Sequence, residues 1–438
     1  MKKSTTNIKR NIKSISSEIL NGENYSRNDF ARSLLNYPAM MVPSVQEPII
    51  KNISEAMQGE ISLLDPFMGA SNTLVTGMKC GMNVFGQDIN PLSLLLSQVK
   101  TTCYDEKALL DAERRINTLI ERDNNNAIPI DFTGINKWFL PEIQIDLAKI
   151  HRAIRREENL SIRKFFWIVM AEVIRLTSND RTSTFKLHAR SPEEIQNRNV
   201  SALNCFKIVS KRNIKDIASY ISVLEEKELI KNGKYIKNAE VKWADTSIKI
   251  KSKKKFNLLV TSPPYGENQT TVTYGQFSYL PLQWIPINDI DSTISIDYLK
   301  STQEIDTQSL GGTKKLNIEE IETVLFKKTK TLKRFVKQFN NGERLRAEKV
   351  TRFVYDLDKS IDNMLVKMQE DSYLVWTIGN RNVNKQVVQN DLILTELMKS
   401  KGVDLFTNLD RDILSKRMPG RNNFSDTMNR EKILIYKK

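Results

Sequence analysis

Residues 257–266 read NLLVTSPPYG, and the paired prolines decide what chemistry this stretch could do. An apolar run of strand character cannot continue through Pro263 and Pro264, because each lacks the ladder N–H and has a fixed φ. The chain must leave the sheet at Ser262, so the Ser262 hydroxyl and the Pro263 carbonyl become rigidly held acceptors. Such acceptors suit an aromatic exocyclic amine, a weak nucleophile that improves once its N–H groups are held. Tyr265 adds a flat face on which an unstacked ring could rest. Plain strand termination by Pro-Pro is the competing reading of the same residues.

Acceptors alone bind nothing, so the elements around them matter. In LLDPFMGASNTL (63–74) a strand ends in Asp65, and a tight turn through Pro66, Phe67, Gly69, Ala70 and Ser71 opens a helix. Backbone amides in such a turn can approach a ligand closely. In VFGQDINPLS (84–93) a second strand ends at Asp88, with Asn90 just beyond, where α/β folds present a carboxylate to ribose hydroxyls. Asp245 ends a third strand, VKWAD. Each acid taken singly is also compatible with an ordinary strand cap.

Together these stretches resemble the class I S-adenosylmethionine-dependent methyltransferases, and in particular the DNA amino-methyltransferases. DPFMGAS is similar to that family's DPFxGSG cofactor loop, with Ser71 where the family has its second glycine. Asp88 resembles the ribose-binding acid, WAD the adenine-contacting element, and TSPPY the catalytic tetrapeptide preceded by Thr261. NYPAMMVP (36–43), with Tyr37, Pro38 and Ala39, is similar to the family's first cofactor motif. The resemblance implies that Tyr37, Pro38, Ala39, Asp65, Pro66, Phe67, Gly69, Ala70, Ser71, Asp88, Asn90, Asp245 and Thr261 bind S-adenosylmethionine. It implies catalytic roles for Ser262, Pro263, Pro264 and Tyr265. Family members with SPPY mostly methylate cytosine N4, those with DPPY mostly adenine N6, and NPPY is usual in protein glutamine methyltransferases. The implied activity is therefore site-specific methylation of cytosine N4 in duplex DNA by base flipping, in a restriction-modification or related defence system. Adenine N6 is the nearest alternative; an RNA amine as target, or a catalytically silent nucleic-acid-binding protein, are weaker ones. Cytosine C5 chemistry is disfavoured, because none of Cys80, Cys103 and Cys205 follows a proline.

The whole composition agrees with a polyanionic partner. The 438 residues carry a formal charge of +15, spread along the chain. With only His151 and His188, and no CxxC or HxxxH spacing, neither a zinc site nor a histidine-dependent triad is expected. No apolar run approaches a membrane span, and MKKSTTNIKRNIKSI lacks a secretory core, so the expected location is cytoplasmic. The expected partners are double-stranded DNA and a cognate restriction endonuclease, with no membrane and no metal.

The strand and helix rhythms predict an α/β class I (Rossmann-like) fold with a seven-stranded, mostly parallel sheet, an antiparallel strand near its end, and an inserted helical subdomain. Residues 1–30 read as a basic N-terminal segment, frayed or partner-dependent. Residues 31–103 and 237–438 read as the catalytic domain. The 104–236 block, with helical periodicity in YDEKALLDAERRINTLIERD and SIRKFFWIVMAEVIRLTS, reads as an insertion and the candidate DNA-recognition element, with SNDRTSTFKLHARSP (178–192) as its contact segment. Residues 286–350 read as a second variable insertion, loop-rich or helical. After the tetrapeptide, Tyr274, Phe277, Tyr279 and Trp284 are core residues or walls of a base pocket. GNRNV (379–383) and LSKRMPGRNN (414–423) are expected to clamp DNA at the sheet edge.

Overall fold

The computed structural model describes residues 2–23, 31–38, 40–266, 273–312, 316–413 and 430–438. One sheet contains β1 (Ser62–Asp65), β2 (Asn83–Asp88), β3 (Ala239–Trp243), β4 (Phe256–Thr261), β5 (Met368–Gly379), β6 (Asp404–Asp412) and β7 (Arg430–Lys437). Their order across it is β6-β7-β5-β4-β1-β2-β3. β1 runs parallel to β2 and β4, β2 to β3, and β4 to β5, whereas β7 is antiparallel to β5 and β6. This is the expected class I, Rossmann-like sheet. Chain order reverses between β1 and β4, which leaves a crevice at the carboxyl ends of those strands.

The central strands β1, β2, β4 and the second half of β5 are buried on both faces, which is why they read as apolar runs, whereas the edge strands β3 and β6 alternate. Leu63, Val84, Leu258, Val375 and Ile433 point into one core, and their neighbours Leu64, Phe85, Leu259, Trp376 and Leu434 into the other. Over the first face lie the helices Pro43–Ser54, Asn72–Lys79, Pro91–Lys100 and the block from 106 to 226. Over the second lie Ile318–Lys328, Lys330–Val336, Arg344–Lys367 and Asn390–Ser400. At the centre of the block, helix Leu160–Thr177 is apolar nearly all round and buries Phe165, Phe166, Trp167 and Ile168 completely. It packs on Pro91–Lys100, Ala202–Glu226 and Tyr274–Trp284, so the block shares one continuous core with the sheet.

Three places differ from the sequence reading. The N-terminal segment forms helices Lys2–Lys13 and Ser17–Asn21, and Ile8 and Ile12, one turn apart, are buried against Pro43–Ser54 and β6. The 286–350 region does not end where expected: helix Arg344–Lys367 begins inside it, because Ala347 and Val350 start the apolar stripe that the helix buries. Arg381 of the GNRNV stretch is only 8% exposed and packs where a Cβ on Gly266 would stand 2.9 Å from it, so it is a core guanidinium and not a clamp. Ala39 and the 414–423 loop lie outside the described residues.

Candidate active site

The carboxyl ends of β1, β2, β3 and β4 open on one cavity, about 690 Å³ of empty space counting the part open to solvent. Tyr37, Pro38, Pro66, Phe67, Gly69, Asp88, Asn90, Asp245, Ser262 and Pro264 all line it. Stretches more than two hundred residues apart in sequence, from Tyr37 to Pro264, thus meet in one place. Asp65, Ala70, Ser71, Thr261, Pro263 and Tyr265 do not line it; each sits behind a lining residue.

The cofactor-type loop is held from behind. Gly69 takes φ +45°, and its amide donates to Asp88 Oδ2 at 2.9 Å. Its carbonyl accepts from Ser93 Oγ at 2.6 Å, and Lys100, 1% exposed, donates to the Ala70 carbonyl at 2.9 Å. Ser71 adopts the left-handed φ of +60° that a glycine would take without strain. Its buried hydroxyl meets that of Ser97, a contact glycine could not make. Asp88 Oδ1 also accepts from the Asn90 amide at 2.9 Å, and burial raises the Asp88 pKa above the usual carboxylate value.

Asn90 and Asp65 are orienting groups. Asn90 caps helix Pro91–Lys100 through Oδ1, and its side-chain nitrogen donates to Tyr37 Oη at 2.9 Å and Ser278 Oγ at 2.8 Å. Asp65 is fully buried; its Oδ1 accepts from the Thr261 hydroxyl at 2.7 Å and the Phe67 amide at 3.2 Å. Burial pushes its pKa up to about 7, against the pull of the Thr261 and Thr73 hydroxyls and the Phe67 amide. The pair Asp65–Thr261 ties the loop after β1 to the residue preceding Ser262. Beside them, Trp243 Nε1 donates to the Ile89 carbonyl at 2.7 Å and fixes the end of β3 to that of β2.

Ser262 is half-buried, and its Oγ stands 3.3 Å from Tyr265 Oη. Tyr265, expected to offer its ring to a base, instead packs against the second core and donates its hydroxyl to Glu431 Oε1 at 3.0 Å. Burial, reinforced by Glu431, keeps that phenol protonated. Of the four later aromatics, Tyr274 lines the cavity with its ring 6.1 Å from that of Tyr37; Phe277 packs edge-on to Tyr37, and Tyr279 and Trp284 are core. Phe185, inside the 178–192 segment, packs 5.9 Å from Phe277 and brings that segment alongside the cavity.

One wall was not foreseen. Ile305, Asp306, Ser309 and Leu310, from the short helix Glu304–Gln308 and the turn after it, close the cavity opposite the loop. A five-residue helix in a polar region has too little periodicity to be read from sequence, and a single aspartate gives no signal. The described lining therefore contains three carboxylates, Asp88, Asp245 and Asp306, and no lysine or arginine. Among the described residues no cluster of three or more His, Cys, Asp or Glu could hold a metal, and no helix is long and apolar enough to cross a membrane.

No protein-family model matches the chain. The chain is 33% identical over 422 residues to the type II methyltransferase M.MvaI of Kocuria varians, covering 92% of this chain and 89% of that protein. A 79-residue stretch, 17% of this chain and 14% of the other, is 38% identical to the type II methyltransferase M.MjaII of Methanocaldococcus jannaschii. Among solved structures, the rRNA methyltransferase aviRa from Streptomyces viridochromogenes covers 92% of this chain and 89% of its own at 10% identity and a TM-score of 0.26, a likeness on which nothing rests. Identity sustained over nearly the full length of both proteins settles the family: the chain belongs to the type II methyltransferases, which are DNA methyltransferases.

Proposed function

We propose that the protein transfers a methyl group from S-adenosylmethionine to N4 of cytosine within a specific sequence of duplex DNA, after extruding the base. The observation that carries this reading is the single cavity in which the strand-end acids Asp88 and Asp245 meet Ser262 and Pro264. A cavity with three carboxylates and no basic side chain, inside a chain of charge +15, favours a cationic small molecule within and a polyanion outside. These residues fit S-adenosylmethionine, with Asp88 and Asp245 toward its nucleoside and the 66–71 loop toward its methionine. When bound, that cofactor supplies a methyl group already activated by its positive sulfur.

The protein's own share is to hold the amine. Because Tyr265 gives its proton to Glu431, its oxygen can accept the Ser262 proton. The Ser262 lone pairs are then left to accept an N–H of the target amine, with the Pro263 carbonyl as the second acceptor. Positioning supplies most of the acceleration, since no covalent base adduct is required. Serine at the head of the tetrapeptide supports cytosine N4 over adenine N6. The 178–192 segment, placed beside the cavity by Phe185, is the proposed DNA contact, and a cognate restriction endonuclease cutting the same sequence is the proposed partner.

The test is to methylate unmodified duplex DNA with labelled cofactor, digest it to nucleosides and identify the product. N4-methylcytosine is expected; N6-methyladenine alone, or label only in RNA, overturns the proposal. Ser262→Ala should lower turnover by about 10²-fold or more while leaving cofactor affinity within about twofold, as loss of a single transition-state contact does.

A further inference from the structure

Asp306 is a carboxylate whose own protein does not complete it. It is 2% exposed on the helix Glu304–Gln308, and its Oδ2 accepts from the Gly275 amide at 3.0 Å. Gly275 makes this seat: a Cβ there would lie 2.9 Å from Asp306 Oδ2 and 2.7 Å from the Thr302 carbonyl. The other oxygen, Oδ1, is buried and meets no donor among the described residues, although Asp306 lines the cavity. Buried polar atoms in folded proteins are paired unless a ligand, ion or water supplies the partner. Among other buried aspartates, Asp180 accepts from the His188 and Thr182 amides and Asp216 from the Ser33 amide and hydroxyl; Asp65 Oδ2 and Asp391 Oδ1 are unmatched as well, but neither residue lines the cavity as Asp306 does.

We propose that Asp306 is a cofactor-binding residue, its free oxygen accepting a charged hydrogen bond or close contact from a cationic group of S-adenosylmethionine. This rests on the reading that the cavity takes that cofactor. Asp306 acts electrostatically on Tyr37 and Tyr274, which places it near the N-terminal cofactor motif. Its charged companions in the described lining are like charges, Asp88 and Asp245, so no cation among the described lining residues competes for it. Burial alone pushes its pKa up to about 7, so an arriving cation would draw the proton off and gain a full counter-charge. The two cationic groups of the cofactor, ammonium and sulfonium, share this chemistry.

The experiment measures, by calorimetry on wild type and Asp306→Asn, the affinity for S-adenosylmethionine, S-adenosylhomocysteine and methylthioadenosine. The second keeps the ammonium but not the sulfonium charge, and the third has neither. Asp306→Asn is expected to weaken S-adenosylmethionine about tenfold or more, the size of a lost charge-assisted contact, and methylthioadenosine hardly at all. An equal loss for S-adenosylhomocysteine assigns the ammonium, and a loss confined to S-adenosylmethionine assigns the sulfonium; either supports the proposal. Equal losses for all three ligands mean a structural role and overturn it, as do unchanged affinities with lowered turnover, which would give Asp306 to the base. If wild type binds none of the three, the reading of the cavity itself fails.

Discussion

The strand ends of β1 and β4 and the 304–310 wall face the same cavity, and each buries a carboxyl whose pKa lies near 7. Asp65, behind the strand ends, spends Oδ1 on the Thr261 hydroxyl and the Phe67 amide, leaves Oδ2 unmatched, and does not line the cavity. Asp306, in the wall, accepts from the Gly275 amide, keeps Oδ1 buried and unmatched, and lines the cavity. A raised pKa does not distinguish a residue that holds the fold from one built for a ligand. Its place does: Asp306 lines the cavity, and Asp65 lies behind it, tied to β4 through Thr261.

Truncation gives the largest contrast. Asp65→Ala strands a buried hydroxyl and a buried amide and should lower unfolding free energy by about 3 kcal/mol, while Asp306→Ala strands one amide and should cost about 1 kcal/mol or less. Urea unfolding measures both, and equal losses would erase the distinction. The pH dependence comes next. Both acids sit near pKa 7 in the folded chain against 3.8 ordinarily, so between about pH 4 and 7 the folded state keeps protons that the unfolded chain has released. Stability should fall as pH rises through that window, and Asp65→Asn and Asp306→Asn should each flatten the fall. Saturating S-adenosylmethionine should remove the contribution of Asp306 and leave that of Asp65; unfolding curves with and without cofactor that keep the same slope would contradict the assignment. The smallest effect belongs to the loop beside Asp65. Ser71→Ala loses the contact with Ser97 yet keeps the left-handed backbone, at about 1 kcal/mol, whereas Ser71→Gly relieves that strain and should stay within about 0.5 kcal/mol of wild type.

What could be read in the sequence was local. The Pro263-Pro264 exit, the strand-end acids and the glycine turn each declare themselves within a few residues, and the sheet followed from their order. Asp306 could not be read that way, because its meaning depends on Gly275, Tyr37 and Asp88, which only the fold brings to it. The N-terminal helix was hidden for a different reason: among its described side chains only Ile8 and Ile12 are buried, amid lysines and polar residues. Tyr265 was recognised as a site residue but not in its contacts, since Glu431 reaches it from β7.

The position of β3 has a kinetic consequence. It is an edge strand that pairs in the sheet with β2, and residues 89 to 238 separate the two in the chain. β1 and β2, joined by a short helix, can pair early in folding, whereas β3 must wait for the intervening helices to collapse before its ends are near enough to dock. Trp243, locked to the Ile89 carbonyl, is then a natural fluorescent reporter of the last step. The wall that carries Asp245 is then completed last, at the outer edge of the sheet, and a cofactor that needs it would capture only chains that have finished folding.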